Sequence, residues 1–248
     1  MILFIQAESR LLNPCLDQQL IDAAFADDAE AAASEWGGLF RSDISAYLPD
    51  ADIDGAVVAG RKELPAINRF GYVAFCDPSG GRHDSMTLAI AHAESGDRAD
   101  RLVLDNLQVA VPPFDPQEVV RRFSATVQRY GCRRLTGDKY AAEWVTTAFK
   151  HDGSMSYEPS ELSKSEIYAE CLPLFAQRRI ELLDLPRMIT EFRLLERRPR
   201  SGGRADSIDH APRGSDDQSN AVAGALWLAA TRKVPPPGNR HRPPYTIM

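Results

Sequence analysis

The pattern of apolar and polar positions predicts a strand-rich region that begins near residue 70. Residues 71–76 form a short apolar run, rich in β-forming side chains, that ends at a turn cluster of Pro, Ser and Gly. Residues 85–92 and 101–111 are two further strand candidates, with a loop around Gly96 between them. Three consecutive strands joined by short turns predict an antiparallel meander.

Helical periodicity dominates the chain after the meander. The clearest helix is predicted over residues 116–129, because Asp115 is a good N-cap, proline occupies the first helical position and Gly131 follows the last turn. The other elements predicted from the pattern are strand 133–137, helix 141–150, strand 156–159, helix 163–178, strand 180–184, helix 186–196 and helix 219–232.

The two ends of the chain differ from this central part. Residues 1–65 are expected to be peripheral, with a helix over 17–36 and a short helix over 43–47. Residues 197–207 are basic and rich in Gly and Ser, which predicts a mobile loop. Residues 234–248 contain five prolines and are predicted to be disordered. The main α/β domain is therefore assigned to residues 66–233.

Composition narrows the class of protein. The 248 residues carry a net charge of −6 and are 44% hydrophobic, as expected of a soluble domain that binds DNA, if at all, through a local basic patch. The four cysteines include no C-x-x-C pair, so neither a zinc site nor a disulfide framework is expected. No apolar stretch reaches membrane-spanning length, and a cytoplasmic protein is predicted.

Acidic residues stand at the ends of three predicted elements. Asp77 and Asp138 each follow a strand directly, and Asp216 and Asp217 come just before the last helix. Taken singly, each acid is an ordinary turn or N-cap residue. If the fold brings them together, their mutual repulsion requires a cation, and hard oxygen ligands favour Mg²⁺ or Mn²⁺. Two such ions about 3.5–4 Å apart catalyse phosphodiester cleavage in many nucleases.

Four stretches of the chain contain these acids or lie between them in sequence, namely FCDPSGG (75–81) with Asp84 after it, TGDKY (136–140), SKSEIY (163–168) and HAPRGSDDQSNAVAG (210–224). They resemble the nuclease part of a phage or prophage terminase large subunit, the DNA-packaging motor protein. In that family an acid pair, often preceded by His, opens the final helix and is followed closely by Asp or Asn. The resemblance covers about residues 70 to 232.

The resemblance implies an RNase H-like α/β fold, with a central mixed sheet that includes the antiparallel three-strand meander and is flanked by helices. It implies that Asp77, Asp138 and either Asp217 or Asp216 bind two Mg²⁺ or Mn²⁺ ions, with His210 as a possible neighbour. The implied activity is cutting of concatemeric double-stranded DNA in the host cytoplasm. The implied partners are the terminase small subunit, the portal protein or a separate ATPase motor, and no membrane.

One departure from the family concerns its motor half. That half carries a Walker A loop, G-x-x-x-x-G-K-[ST], whereas Gly80, Gly81 and Arg82 are not followed by Lys and Ser or Thr. ATP hydrolysis by that mechanism is therefore not expected of this chain. It is expected to be either a C-terminal fragment or a separately encoded nuclease module.

Basic side chains near these motifs are candidates for DNA phosphate contacts, although exposed Arg and Lys are often only solvated. The candidate phosphate contacts are Arg82, Lys139, Lys164, Arg197, Arg198, Arg200 and Arg204.

Two functional alternatives stay open. One is another RNase H-like nuclease of the resolvase or transposase type. The other is a non-catalytic docking domain of the packaging complex in which the acids are structural.

Overall fold

The computed structural model describes residues 6–27, 32–33, 35–39, 45–96, 99–138, 142–198, 206–212 and 214–232. Internal contacts divide the chain into two units, Met1–Ser45 with Glu196–Ser207, and Ala46–Leu195 with Ile208–Met248. The predicted disordered tail, residues 234–248, lies outside the described residues. Among the residues that are described, no helix is long and apolar enough to cross a membrane.

The described helices and strands alternate along most of the chain. In chain order they are α1 (Ser9–Leu12), α2 (Gln18–Asp27), β1 (Ser45–Ala46), α3 (Asp50–Ala56), β2 (Tyr72–Asp77), β3 (Met86–Glu94), β4 (Arg101–Ala110), α4 (Pro116–Arg129), β5 (Arg134–Gly137), α5 (Ala142–His151), β6 (Ser156–Pro159), α6 (Lys164–Ala176), β7 (Ile180–Glu181), α7 (Pro186–Arg193), β8 (Leu195–Arg198), β9 (Ser207–His210) and α8 (Asp217–Thr231).

A six-stranded mixed sheet in the order β6-β5-β2-β3-β4-β7 forms the centre of the second unit. Strands β2, β3 and β4 pair antiparallel, which confirms the predicted meander. Strands β5 and β6 extend the sheet on one side in parallel, and β7 extends it on the other. Strands β1, β8 and β9 form a separate three-stranded sheet.

The central strand β2 is buried on both of its faces. Val73 and Phe75 belong to one hydrophobic cluster, with residues of α3, α6, α7 and α8. Tyr72, Ala74 and Cys76 belong to a second cluster, with residues of α4 and α5. Helices cover both faces of the sheet, and this explains why residues 71–76 form a continuous apolar run instead of an alternating one.

Helix α8 lies against β2, β3 and β4 and is buried around nearly its whole circumference. A helix that is apolar on every side belongs in a protein interior, where it needs close contact with its neighbours. Gly224 provides that contact, because a Cβ atom there would stand 2.5 Å from the Cδ1 and Cδ2 carbons of Phe75. The absence of a side chain therefore lets α8 approach the sheet closely enough to present its first residues at the sheet edge.

Three local predictions are wrong. The helix expected over 43–47 is absent from its described part: Ser45–Ala46 form strand β1, the Tyr47 backbone N–H donates to the Leu195 carbonyl, and the helix begins only after Pro49. The helix expected over 186–196 ends at Arg193, and β8 follows it. The loop expected over 197–207 is wrong at its two ends, which are strand residues, while residues 199–205 lie outside the described residues. For the helix expected over 17–36, α2 covers Gln18–Asp27, while residues 28–31 and 34 lie outside the described residues.

Two glycines within helices give a matched test of this packing. Gly224→Ala should lower the free energy of unfolding by about 1–2 kcal/mol, because overpacking against a buried ring outweighs the helical preference of alanine. Gly55→Ala in α3 should be neutral or stabilising, because nothing lies within 4 Å of its added Cβ. Urea unfolding of both variants checks this, and equal midpoints would contradict the close approach of α8.

Candidate metal centre

The sheet brings the first two predicted acids to one edge. Asp77 is the last residue of β2, and Asp138 follows the last residue of β5. The two strands are parallel neighbours with Cys76 opposite Gly137, so the acids leave the sheet side by side. Since α8 begins at Asp217, directly after Asp216, the second acid pair completes the same arrangement.

These four acids line one cleft of about 510 Å³. The structure thus brings together all four residues that the sequence proposed as metal ligands. The described residues that line the cleft offer mainly oxygen donors and no thiol. The others among them are Pro78, Ser79, Gly80, Asp84, Ser85, Lys164 and Asn220.

The electrostatics of the cleft are concentrated on Asp77. The pKa of Asp77 is raised to about 8: burial is the largest cause, the negative charges of Asp217, Asp216 and Asp138 add to it, and a hydrogen bond from the Asn220 side chain opposes it. Asp77 therefore resists ionisation in the absence of a cation. A bound cation would favour its ionised form, because the positive charge offsets the charges of the neighbouring carboxylates.

The two aspartates of the pair have different surroundings. The Oδ2 atom of Asp217 accepts hydrogen bonds from the Ser85 backbone N–H at 3.3 Å and from the Ser215 hydroxyl at 3.2 Å. The Oδ2 atom of the buried Asp216 accepts instead from the Lys164 ammonium at 2.9 Å and the Tyr168 hydroxyl at 3.3 Å. Asp216 therefore already contacts a cation of the protein itself, whereas Asp217 is held by neutral donors.

Lys164 lies inside the cleft and bridges two carboxylates. Its ammonium is 2.7 Å from the Asp209 carboxylate and 2.9 Å from that of Asp216. Burial lowers the pKa of Lys164, but the hydrogen bonds to Asp209 and Asp216 more than offset this and raise its pKa above the usual value. A charged Lys164 therefore neutralises part of the cleft.

His210 lies at the margin of this group. Its Nε2 atom is 3.8 Å from an oxygen of both Asp209 and Asp216, and its Nδ1 atom is 2.8 Å from the Ala211 carbonyl. Donor atoms of Asp209, His210 and Asp216 all lie within 4.8 Å of one another, which is a possible metal-binding geometry. The Lys164 ammonium contacts the carboxylates of Asp209 and Asp216, so a positive charge of the protein itself already lies beside these three residues.

The other predicted DNA contacts have mixed surroundings. Arg82 is exposed in the loop after β2. Arg197 pairs with Asp206 at 2.5 Å, and Arg198 pairs with Glu196 at 2.6 Å. Three further candidates lie outside the described residues, namely Lys139, Arg200 and Arg204.

Several residues in the cleft, or in contact with its acids, were not assigned a role from the sequence. Asn220 stands three residues after Asp217 on α8, a helical spacing that places the two on one face and could have revealed it. Asp84 and Ser85 precede β3, whose first residues lie opposite the end of β2. Asp209 and Tyr168 give no local sign of their role, because they meet Asp216 only through the tertiary fold.

Comparison with known proteins places the fold. No family model matches the sequence, and no curated protein matches it. Among solved structures, the large terminase nuclease from thermophilic phage G20c superposes with a TM-score of 0.59 at 15% identity, over 72% of this chain and 96% of that one. The chain therefore shares its fold with large terminase nucleases, and the expected RNase H-like fold is confirmed.

Two further structures have the same fold. The HK97 bacteriophage large terminase gives a TM-score of 0.58 at 14% identity, covering 89% of this chain and 53% of that one, so the chain spans about half of that protein. A mutant nuclease domain of the large terminase subunit of bacterial virus Sf6, with manganese and beta-thujaplicinol, gives 0.53 at 13% identity, covering 77% of this chain and all of that one. The G20c nuclease also has structures with magnesium, cobalt and zinc.

The raised pKa of Asp77 predicts a specific pH dependence of stability. The carboxyl titrates at about 8 in the folded protein, but at about 4 in the unfolded chain. The protonated form therefore stabilises the fold fully below pH ~4, and this contribution is lost as the pH rises to about 8. Asp77→Asn should consequently become more stable than the wild type, by a margin that grows across this interval.

Urea unfolding of the metal-free proteins in chelator, at several pH values, measures that margin. Asp100→Asn, an exposed aspartate before β4, is the matched control and should follow the wild-type curve. A margin for Asp77→Asn that stays constant from pH 5 to pH 8 would show that Asp77 is not destabilised by its surroundings.

Proposed function

We propose that this chain is a Mg²⁺- or Mn²⁺-dependent endonuclease of the terminase type, which cuts concatemeric double-stranded DNA during viral DNA packaging. The observation that carries the proposal is the convergence of Asp77, Asp138, Asp216 and Asp217 on one cleft. That cleft occurs in a fold shared with nucleases whose structures contain manganese or magnesium.

The donor set fits a hard divalent cation. Carboxylate oxygens are the ligands that Mg²⁺ and Mn²⁺ prefer, and the cleft offers several of them with little positive charge to balance them. Asp77, Asp138 and Asp217 would hold a first ion, and Asp216 with Asp84 would hold a second. When bound, such ions supply an activated water and stabilise charge at the phosphorus.

Of the acid pair, Asp217 is the better candidate for the first ion. Asp217 raises the pKa of Asp77 more than Asp216 does, which is consistent with stronger coupling between Asp217 and Asp77. Asp216 is contacted by Lys164 and Tyr168, so in the proposal it has two parts: it contributes to the second ion, and it orients the ammonium of Lys164. Lys164 would then contact a phosphate oxygen and stabilise the negative charge that develops during cleavage.

The remaining DNA contacts are proposed from the positive charge of arginine and lysine side chains, which can bind DNA phosphates. Arg82, exposed beside the cleft loop, can bind a neighbouring phosphate, and Arg197 and Arg198 can add sequence-independent affinity. Lys139, Arg200 and Arg204 stay predictions from the sequence. Packaging also needs a motor, so an ATPase, the portal protein or the terminase small subunit are the proposed partners, in the cytoplasm of the host.

A plasmid-cleavage assay with Mn²⁺ tests the function. Asp77→Asn and Asp217→Asn should each reduce the rate about a hundredfold or more, because each removes a ligand that stabilises the transition state. Asp100→Asn should retain wild-type activity, and chelation of the metal should abolish it. Equal cleavage by the wild type and Asp77→Asn would refute the proposed centre.

Two further readouts separate the competing functions. Strong preference for a four-way junction over linear duplex would favour a resolvase. Absence of cleavage together with no Mn²⁺-dependent rise in Tm would favour a docking domain, because a ligand that binds only the native state must stabilise it.

A further inference from the structure

Helix α8 begins without a cap from its own N-terminal residue. An aspartate at the N-cap ordinarily turns back and accepts hydrogen bonds from the second or third backbone N–H of the helix. Asp216 occupies the N-cap, but among the described residues its side chain makes no such bond. Its carboxylate points instead to Lys164 and Tyr168.

Glu191 of α7 supplies the missing acceptor. Its Oε2 atom accepts the backbone N–H of Gln218 at 2.8 Å and that of Ser219 at 3.0 Å. These are the second and third residues of α8, the two donors that an N-cap side chain normally satisfies. The partial positive charge at a helix N-terminus also favours a carboxylate there. The other carboxylate oxygen, Oε1, pairs with Arg187 at 3.2 Å.

Burial makes this acceptor hard to replace. Glu191 is 5% exposed, Gln218 is 6% exposed and Ser219 is fully buried. Water therefore has little access to the two backbone donors, and an unsatisfied buried N–H is costly. If Glu191 were removed, the side chain best placed by local geometry to bond these donors would be that of Asp216, which would have to leave the cleft.

We propose that Glu191 is a positioning residue of the metal centre. By capping α8 from a different helix, it leaves the carboxylates of Asp216 and Asp217 free to face the cleft. The inference rests on the proposed metal-dependent function but concerns a residue outside the cleft. The Asp216 carboxylate can either cap α8 or take part in the charged centre, and Glu191 leaves it available for the centre.

Three variants separate the cap from other effects. Glu191→Ala removes the acceptor. Glu191→Gln keeps a side-chain carbonyl oxygen that can accept both N–H groups, but loses the negative charge. Arg187→Ala removes the ion pair on the outer oxygen and leaves the cap unchanged, so it serves as the matched control.

Calorimetric titration of the full chain with Mn²⁺, below the onset of unfolding, provides a readout independent of cleavage. Glu191→Ala should bind Mn²⁺ about tenfold more weakly, as is typical when a residue that orients a metal ligand is lost. Glu191→Gln and Arg187→Ala should stay within about threefold of the wild type, since both retain the cap. If Glu191→Ala does not fold, Glu191→Asp, whose carboxylate is withdrawn by one methylene, should weaken binding in its place.

The possible outcomes are distinguishable. Wild-type affinity in a folded but destabilised Glu191→Ala or Glu191→Asp protein would mean that Glu191 only supports the fold, and would overturn the inference. Equal weakening in Glu191→Ala and Glu191→Gln would show that charge matters and the cap does not, which also overturns it. Failure of the wild type itself to bind Mn²⁺ would instead count against the proposed metal centre.

Discussion

The mutual repulsion of carboxylates gathered at one sheet edge is the constraint on which this molecule depends. An isolated cluster of this kind would separate or take up protons, and the neighbouring carboxylates add to the rise that burial causes in the pKa of Asp77. The cluster persists because its members are attached to elements that cannot move apart. Strand β2 is buried on both faces, β5 pairs with it, and α8 lies across it.

Neutral and cationic groups around the cleft limit this repulsion without removing it. Asn220 donates to Asp77, Ser85 and Ser215 donate to Asp217, and Lys164 contacts Asp216. One ammonium among several carboxylates leaves the cleft negative. The arrangement is therefore suited to attract a cation.

The parts of the fold that could be predicted are those governed by local chemistry. The apolar run of β2, the meander and helix α4 with its Asp115 cap follow from periodicity and capping. The positions of Asp77 and Asp138 follow from their place at strand ends. The inward direction of Lys164 and the contact of Glu191 with α8 depend on tertiary packing between distant segments. Strand β1 was missed for the same reason, because its extended form depends on a distant partner and is not a local preference.

The contact between Gly224 and Phe75 has a consequence for how the chain tolerates change in length. Insertion of one residue into α8 between Asp217 and Gly224 would rotate its start by about 100° and shift it by about 1.5 Å relative to the sheet. The close contact of Gly224 with the Phe75 ring thus fixes the position of the helix along the sheet. The seven-residue interval from Asp217 to Gly224 then sets the orientation of the acid pair. Homologous chains that keep this chemistry should vary in length elsewhere, in the connections between elements, and conserve the spacing within this interval.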